Sequence, residues 1–102
     1  MVLTVLEAQV LPGQEAALQA AYAAAGTLPP GLVRSELLHD ARDATRWRIQ
    51  TLWASREALE AMRSAGTPAG VLMFRAAGAE PTLAVFEVVS TLAPTSPADR
   101  RP

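Results

Sequence analysis

The chain has 102 residues, half of them apolar, with a formal net charge of −1, and it contains neither lysine nor cysteine. This length suits one domain with one core, and so small a net charge does not predict binding to nucleic acid or to an anionic membrane surface. The lack of cysteine excludes disulfides, thiolate catalysis and thiolate zinc sites. Because Met1 leads directly into a strand-like run and no apolar stretch approaches about 18 residues, we expect no leader peptide, no membrane span and a cytoplasmic location.

The first half of the chain predicts two strands around a helix, followed by a third strand. Residues 2–11 are rich in leucine and valine and end at a Pro-Gly turn. Residues 14–28 are dominated by alanine, with an apolar stripe at three- and four-residue spacing, and a Pro-Pro-Gly sequence follows this helix. Residues 32–39 and 46–53 predict two strands joined by a polar hairpin connection.

The second half predicts two helices and a last strand. Ser55 is a good N-cap for a second helix that ends near Gly66. A third, short helix is expected over residues 68–77, because proline is favoured at the first helical position and a glycine follows. Residues 82–92 predict the fourth strand, and the proline-rich residues 93–102 are expected to form a disordered tail.

This order of elements is typical of the split βαβ pattern, and it assigns residues 1–92 to one α+β, ferredoxin-like domain. Such a domain has a four-stranded antiparallel sheet with its helices on one face. Alternation along the strands predicts which side chains face the helices. The helix-side set is Thr4, Leu6, Ala8, Val10, Val33, Ser35, Leu37, His39, Trp47, Ile49, Thr51, Trp53, Ala84, Phe86, Val88, Ser90 and Leu92.

The opposite face of the predicted sheet is too apolar for a surface that only meets water. Its apolar members are Leu3, Val5, Leu11, Leu32, Leu38, Leu52, Leu83, Val85 and Val89. A patch of this size predicts burial by a partner, most simply by a second copy packed sheet against sheet. The predicted interface residues are Arg34, Glu36, Arg48, Glu7, Glu87, Leu52 and Val85. The alternative is an amphipathic sheet exposed to solvent.

Four segments resemble the antibiotic biosynthesis monooxygenase (ABM) family of the dimeric α+β barrel superfamily, which also includes haem-degrading enzymes. The segments are VLPGQEAAL, PPGLVRSELL, WRIQTLWASREALEAM and FEVVSTL, and the resemblance covers about residues 2–92. It implies a homodimer, and a cavity between sheet and helices in each protomer. It also implies oxidation of phenolic, anthrone or quinol substrates without metal, flavin or other cofactor, in which the anion of the substrate reduces oxygen.

Residue by residue, the resemblance carries over the tryptophan but not its polar partners. Trp53 matches the tryptophan that ends the third strand in many members. An asparagine that precedes it in some oxygenases is replaced by Ile49. The haem-degrading branch uses an asparagine on the first strand and a histidine on the second helix, where this chain has Arg63. Haem degradation in that manner is therefore not expected.

The candidate residues of a substrate pocket have the side chains that a small aromatic ligand requires. They are Trp53, Trp47, Tyr22, Phe86, Thr51, Ser35 and His39. The aromatic residues would pack against the ligand or simply fill the core. The hydroxyls would orient a phenolate or bond the backbone, and His39 would act as a base or remain a solvated hairpin residue. No catalytic residue is assigned.

Two functions follow from these features. The first is a cofactor-independent monooxygenase acting on a small aromatic or quinol-type substrate. The second is a non-catalytic dimeric protein that binds a small ligand in the same pocket. The sequence has no phosphate-binding loop, metal-ligand cluster or nucleophile elbow.

Overall fold

The computed structural model describes residues 1–94, which form a four-stranded antiparallel sheet and three helices. The elements are β1 (Val2–Gln9), α1 (Glu15–Ala23), β2 (Leu32–His39), β3 (Arg46–Trp53), α2 (Arg56–Ser64), α3 (Ala69–Ala76) and β4 (Thr82–Glu87). The strand order is β2-β3-β1-β4, with each neighbouring pair antiparallel. This arrangement confirms the ferredoxin-like α+β fold. Within residues 1–94, no helix is long and apolar enough to cross a membrane.

Three elements are shorter than predicted. Strand β1 ends at Gln9, before the turn at Gly13, and β4 ends at Glu87 rather than at residue 92. Helix α1 ends at Ala23 instead of residue 28, because Gly26 favours the unfolded backbone and Pro29 disfavours helical geometry in the residue before it. The predicted tail, residues 93–102, lies outside the described residues from position 95 onward.

The entry into α2 forms as predicted. The Ser55 hydroxyl accepts a hydrogen bond of 3.1 Å from the backbone N–H of Ala58, which caps the first turn of the helix. Before β2, Gly31 has a φ of +84°, and a Cβ placed there would lie 2.4 Å from the Ala58 Cβ. Glycine is therefore required at this position both by the backbone conformation and by the close approach of α2.

The helices pack on one face of the sheet and bury two separate groups of apolar side chains. The larger group, named the hairpin-side cluster, consists of Leu6, Ala8, Val10, Leu18, Trp47, Ile49, Phe74, Ala77 and Ala79. The smaller group, named the α2 cluster, consists of Val2, Trp53 and Leu59. The helix-side face predicted for β1 and β3 is thus confirmed, and the core is divided into two parts.

Strand β4 has the opposite orientation from the prediction. In its antiparallel register with β1, Val85 pairs with Thr4 and Glu87 pairs with Val2, both of which face the helices. Phe86 pairs with Leu3 and therefore lies on the outer face. The assignment of Phe86 to the helix side was wrong, and so was the assignment of Val85 and Glu87 to the outer face.

A β-bulge at the start of β2 reverses the faces predicted for Leu32 and Val33. Leu32 pairs with Trp53 while Arg34 pairs with Leu52, so Val33 is the extra residue between them. The bulge turns Leu32 toward the helix side, where it packs on the α2 cluster, and leaves Val33 48% exposed. From Ser35 onward the predicted alternation holds.

Candidate functional site

A cavity of about 750 Å³ lies on the helix side of the sheet. Its lining includes Thr4, Leu6, Tyr22, Leu28, Pro29, Leu32, Ser35, Ile49, Thr51, Trp53, Leu59, Met62, Arg63, Gly70, Val71, Met73, Arg75, Glu80 and Leu83. Members of both apolar clusters contribute, so the cavity lies between the two parts of the core. The volume falls in the range of small-molecule binding sites.

A row of hydroxyl groups crosses the sheet at the middle of this cavity. Ser35 on β2 pairs with Thr51 on β3, which pairs in turn with Thr4 on β1. Side chains at paired positions of an antiparallel ladder lie side by side on one face, so the three hydroxyls form a polar line. Apart from Arg34, whose strand pairing places it on the outer face, the other sheet residues that line the cavity are apolar, and this line therefore fixes where a ligand can form hydrogen bonds with the helix side of the sheet.

Tyr22 reaches the row from α1. Its hydroxyl donates a 2.9 Å hydrogen bond to Ser35 Oγ, and the Thr51 hydroxyl donates a 3.2 Å hydrogen bond to the same oxygen. These contacts join the helix, the edge strand and the central part of the sheet. They place the three hydroxyl groups together on the cavity wall.

Trp53 is 3% exposed and is held by Thr4. Its indole Nε1 donates a 3.1 Å hydrogen bond to Thr4 Oγ1, which satisfies the polar end of a buried ring. The remainder of the ring packs in the α2 cluster with Val2 and Leu59 and lines the cavity. The indole therefore forms an apolar wall of fixed orientation.

The charged residues that line the cavity are three arginines and one glutamate, namely Arg34, Arg63, Arg75 and Glu80. Arg75 binds Glu80 through two hydrogen bonds of 2.9 Å, which lower the pKa of the glutamate and raise the pKa of the arginine. Glu80 is thus held as a carboxylate and is a poor proton acceptor. Arg63 lies 3.7 Å from Glu60 and Arg34 lies 3.6 Å from Glu36, so each arginine of the lining has a carboxylate neighbour and the charges around the cavity are paired.

The cavity brings together four of the seven residues predicted for a pocket, namely Trp53, Tyr22, Thr51 and Ser35. His39 and Trp47 lie near the β2–β3 hairpin and do not line it. Their rings stack with centroids 4.0 Å apart, and His39 Nε2 donates a 2.8 Å hydrogen bond to the Ala44 carbonyl oxygen. Phe86 is on the other face of the sheet. The structure thus separates the two tryptophans, with Trp47 in the hairpin-side cluster and Trp53 at the cavity.

The predicted interface residues are divided by the sheet. Glu7, Arg34, Glu36, Arg48 and Leu52 occupy the outer face, as their strand pairings require. Val85 and Glu87 occupy the helix side, where Glu87 forms an ion pair with Arg56 of α2.

Outer-face ion pairs centre on Glu7. Its carboxylate binds Arg46 and Arg48, and these hydrogen bonds lower its pKa from the ordinary value of 4.5.

Several cavity residues were missed because the first helix was predicted too long. Leu28 and Pro29 belong to the segment between α1 and β2, and they line the cavity instead of continuing the helix. Gly70 of α3 also lines it, and a Cβ at Gly70 would lie 2.7 Å from Leu6 Cδ1. Gly26 and the Pro-Pro pair were the available signals for the loop. Nothing in the sequence indicated Gly70.

Within residues 1–94, no three histidine, cysteine or acidic side chains form a group that could hold a metal ion. The cavity lining contains one acidic residue, Glu80, and no histidine.

Comparison with solved structures supports the same fold. A Deinococcus radiodurans protein described as an antibiotic biosynthesis monooxygenase has a TM-score of 0.72 at 13% identity, covering 94% of this chain and all of that one. SnoaB, a cofactor-independent oxygenase from Streptomyces nogalater, has a TM-score of 0.64 at 19% identity, covering 89% of this chain and 96% of that one. The haem-degrader MhuD from Mycobacterium tuberculosis has a TM-score of 0.67 at 25% identity, covering 91% of this chain and all of that one.

No curated protein matches the sequence significantly. The family model for antibiotic biosynthesis monooxygenase matches residues 1–67, which span β1 through α2 and most of the cavity wall formed by the sheet. The chain therefore belongs to the antibiotic biosynthesis monooxygenase (ABM) family.

Proposed function

We propose that the protein is a cofactor-independent monooxygenase that oxidises a small aromatic or quinol-type compound in the cavity between sheet and helices. The observation that carries the proposal is the cavity of about 750 Å³, walled by Trp53 and aliphatic side chains and crossed by a single row of hydroxyls. An apolar pocket with a few convergent polar groups suits a flat ring that bears oxygen atoms. Family membership supplies the class of reaction.

In this reaction the electrons come from the substrate. The anion of a phenol or anthrone transfers electrons to O2, one oxygen atom enters the ring system as a carbonyl, and the other leaves as water. No group on the protein changes its oxidation state. The work of this chain is to bind the anion, to orient it against Trp53 and to exclude water from it.

Oxygen uptake with a panel of anthrones and hydroquinones tests the proposal. We expect uptake above the rate without protein for at least one compound, with one O2 consumed for each molecule converted. Met62→Trp would fill the cavity and abolish this uptake, because Met62 lines it. Leu72→Trp is the matched control, since Leu72 lies on the exposed side of α3 and is 53% exposed. If uptake never exceeds the background while the compounds still quench tryptophan fluorescence, the non-catalytic binding function is correct instead.

The structure does not favour haem degradation, although one of the similar folds belongs to a haem-degrader. The single histidine of the chain bonds a backbone carbonyl at the hairpin and does not line the cavity. We expect haem titration to show no saturable Soret shift that His39→Ala removes. A shift of that kind would make His39 a haem ligand and contradict this conclusion.

We also propose that two copies associate through their outer sheet faces. The apolar members of this face are Leu3, Val5, Leu38, Leu52, Ala84 and Phe86, and Phe86 is 54% exposed in the single chain. An exposed aromatic ring beside leucine and valine is a feature of protein interfaces. The surrounding Glu7, Arg34, Glu36 and Arg48 would fix the register of the two sheets through charge pairing.

A further inference from the structure

The hydroxyl groups of Tyr22, Ser35 and Thr51 carry one hydrogen that the protein does not use. Three hydroxyls have three hydrogens, and the two oxygen–oxygen contacts among them use two, in whichever direction each hydrogen bond runs. No other side-chain hydrogen bond within residues 1–94 involves these three oxygens. One O–H is therefore left to donate, and all three groups line the cavity.

When Tyr22 and Thr51 both donate to Ser35, the free hydrogen is on Ser35. Its Oγ accepts from Tyr22 at 2.9 Å and from Thr51 at 3.2 Å, which occupies both of its lone pairs. The Ser35 O–H then has only the cavity in which to find an acceptor. Two incoming hydrogen bonds polarise this O–H and make it a stronger donor than an isolated serine.

The surroundings of Ser35 favour an anionic acceptor. The neighbouring side chains on the cavity wall of the sheet are Leu6, Ile49 and Trp53, which supply no competing polar group apart from the indole N–H already bound to Thr4. The one carboxylate that lines the cavity, that of Glu80, is bound by Arg75 through two hydrogen bonds, so its charge is compensated and it opposes an anion at Ser35 only weakly. A hydrogen bond to an anionic oxygen is stronger than one to a neutral oxygen, and more so where water is excluded.

We propose that the Ser35 hydroxyl donates to the anionic oxygen of a phenolate-type ligand, and that Tyr22 and Thr51 are positioning residues that hold Ser35 in place. This inference rests on the proposed function in taking the ligand to be phenolic. It goes further because it names the Ser35 hydroxyl hydrogen as the group that favours binding of the phenolate over the neutral phenol. Binding at Ser35 lowers the pKa of the phenol, so the protein captures the electron-rich form that reacts with oxygen.

A coloured phenol tests the inference without any turnover. The anion of 4-nitrophenol absorbs visible light and its neutral form does not, so a pH titration with protein in excess reports the pKa of the bound probe. We expect the wild-type protein to lower this pKa by about one unit. Ser35→Ala should remove most of the shift and weaken binding of the anion by roughly tenfold.

Two sets of variants separate this role from a structural one. Ser64→Ala is the matched control, because the Ser64 hydroxyl bonds the Glu60 carbonyl on the surface of α2, outside the cavity. Ser35→Thr and Ser35→Val have side chains of similar shape, and only the first keeps a hydroxyl. We expect the threonine variant to retain the shift and the valine variant to lose it. Tyr22→Phe should leave a smaller shift than the wild type, since the donor remains but is less polarised.

An equal shift in the wild-type protein and in both Ser35→Ala and Ser35→Val would overturn the inference. The absence of any shift in the wild-type protein at saturating protein concentration would also overturn it. These outcomes are independent of oxygen uptake. A protein that shifts the probe through Ser35 but never consumes oxygen would refute the proposed function and leave the Ser35 site intact.

Discussion

Trp53 on β3 donates its indole hydrogen to the Thr4 hydroxyl on β1, at 3.1 Å, inside the buried face of the sheet. Thr4 pairs with Thr51, two residues before Trp53, so the indole leans diagonally across the ladder to reach its acceptor. The bond fixes the ring that walls the cavity. It also makes the polar end of Trp53 dependent on a single side chain.

Thr4→Val should therefore destabilise the protein although it hardly changes the volume of the side chain. The variant leaves a buried N–H without an acceptor, which costs about 1 to 3 kcal/mol. Urea unfolding followed by circular dichroism measures the loss. Thr82→Val is the control, because the Thr82 hydroxyl bonds a backbone carbonyl at an exposed position, and it should change stability by less than about 0.5 kcal/mol.

The double variant Thr4→Val/Trp53→Phe tests the bond itself. It should lose less free energy of unfolding than the two single variants lose in total. Strict additivity would show that the bond contributes nothing.

Gly31→Ala should be more damaging than the same change at Gly13. Both glycines have positive φ, +84° and +93°, so both variants incur backbone strain of about 1 to 2 kcal/mol. Only Gly31 also meets α2, where the new Cβ would lie 2.4 Å from the Ala58 Cβ, whereas nothing lies within 4 Å of the position at Gly13. Overpacking adds about 1 to 3 kcal/mol. Denaturant midpoints of the two variants measure this difference, and equal losses would show that α2 does not constrain the start of β2.

The Glu7 ion pairs should make part of the stability dependent on pH. Because Arg46 and Arg48 hold the pKa of Glu7 below 4.5 in the folded state, their contribution is present above pH 4.5 and is lost as the pH falls through the folded pKa. Glu7→Gln lacks this contribution at every pH. The stability difference between wild type and variant should thus be measurable at pH 7 and should shrink steadily below pH 4.5. A difference that stays constant down to pH 2 would contradict the assignment.

Phe86→Glu should convert the proposed dimer into a monomer. A charge at position 86, on the outer face of the edge strand β4 beside Leu3, would have to be buried in the dimer interface without a partner, which is costly. Light scattering should give a mass near 10.8 kDa for the variant and about twice that for the wild type. Leu72→Glu is the matched control, because Leu72 is equally exposed, at 53% against 54%, but lies on α3. A wild-type mass near 10.8 kDa at micromolar concentration would refute the proposed dimer.

The sequence predicted the elements well where a residue type had only one role available. Strands β2 and β3 have the predicted bounds, and Ser55 caps α2 as expected, since a hydroxyl before a helical pattern has few other functions. The face of β4 was not predictable in the same way. Leu83, Ala84, Val85 and Phe86 are all apolar, so alternation carried no information and only the pairing with β1 fixes which side is buried.

The site was predicted in its residue types but not in its contacts. Trp53, Ser35 and Thr51 were identified from the alternation along the strands and Tyr22 from the apolar stripe of the first helix, and the structure places all four at one cavity. The hydrogen bond from Tyr22 to Ser35 joins a helix to an edge strand, and periodicity within either element says nothing about it. The bulge at Val33 depends on the fit of β2 to β3, which is likewise a tertiary effect.

The division of the core into a hairpin-side cluster and an α2 cluster bears on how the protein unfolds. The cavity lies between the two groups, which form separate clusters, so we expect α2 and the end of β3 to open locally while the hairpin side stays folded. A ligand that touches Trp53 on one side and Leu6 on the other would supply the missing contacts. We therefore expect amide hydrogen exchange in residues 53–64 to slow more than elsewhere when a ligand binds. The bound ligand would then form part of the apolar core of the protein.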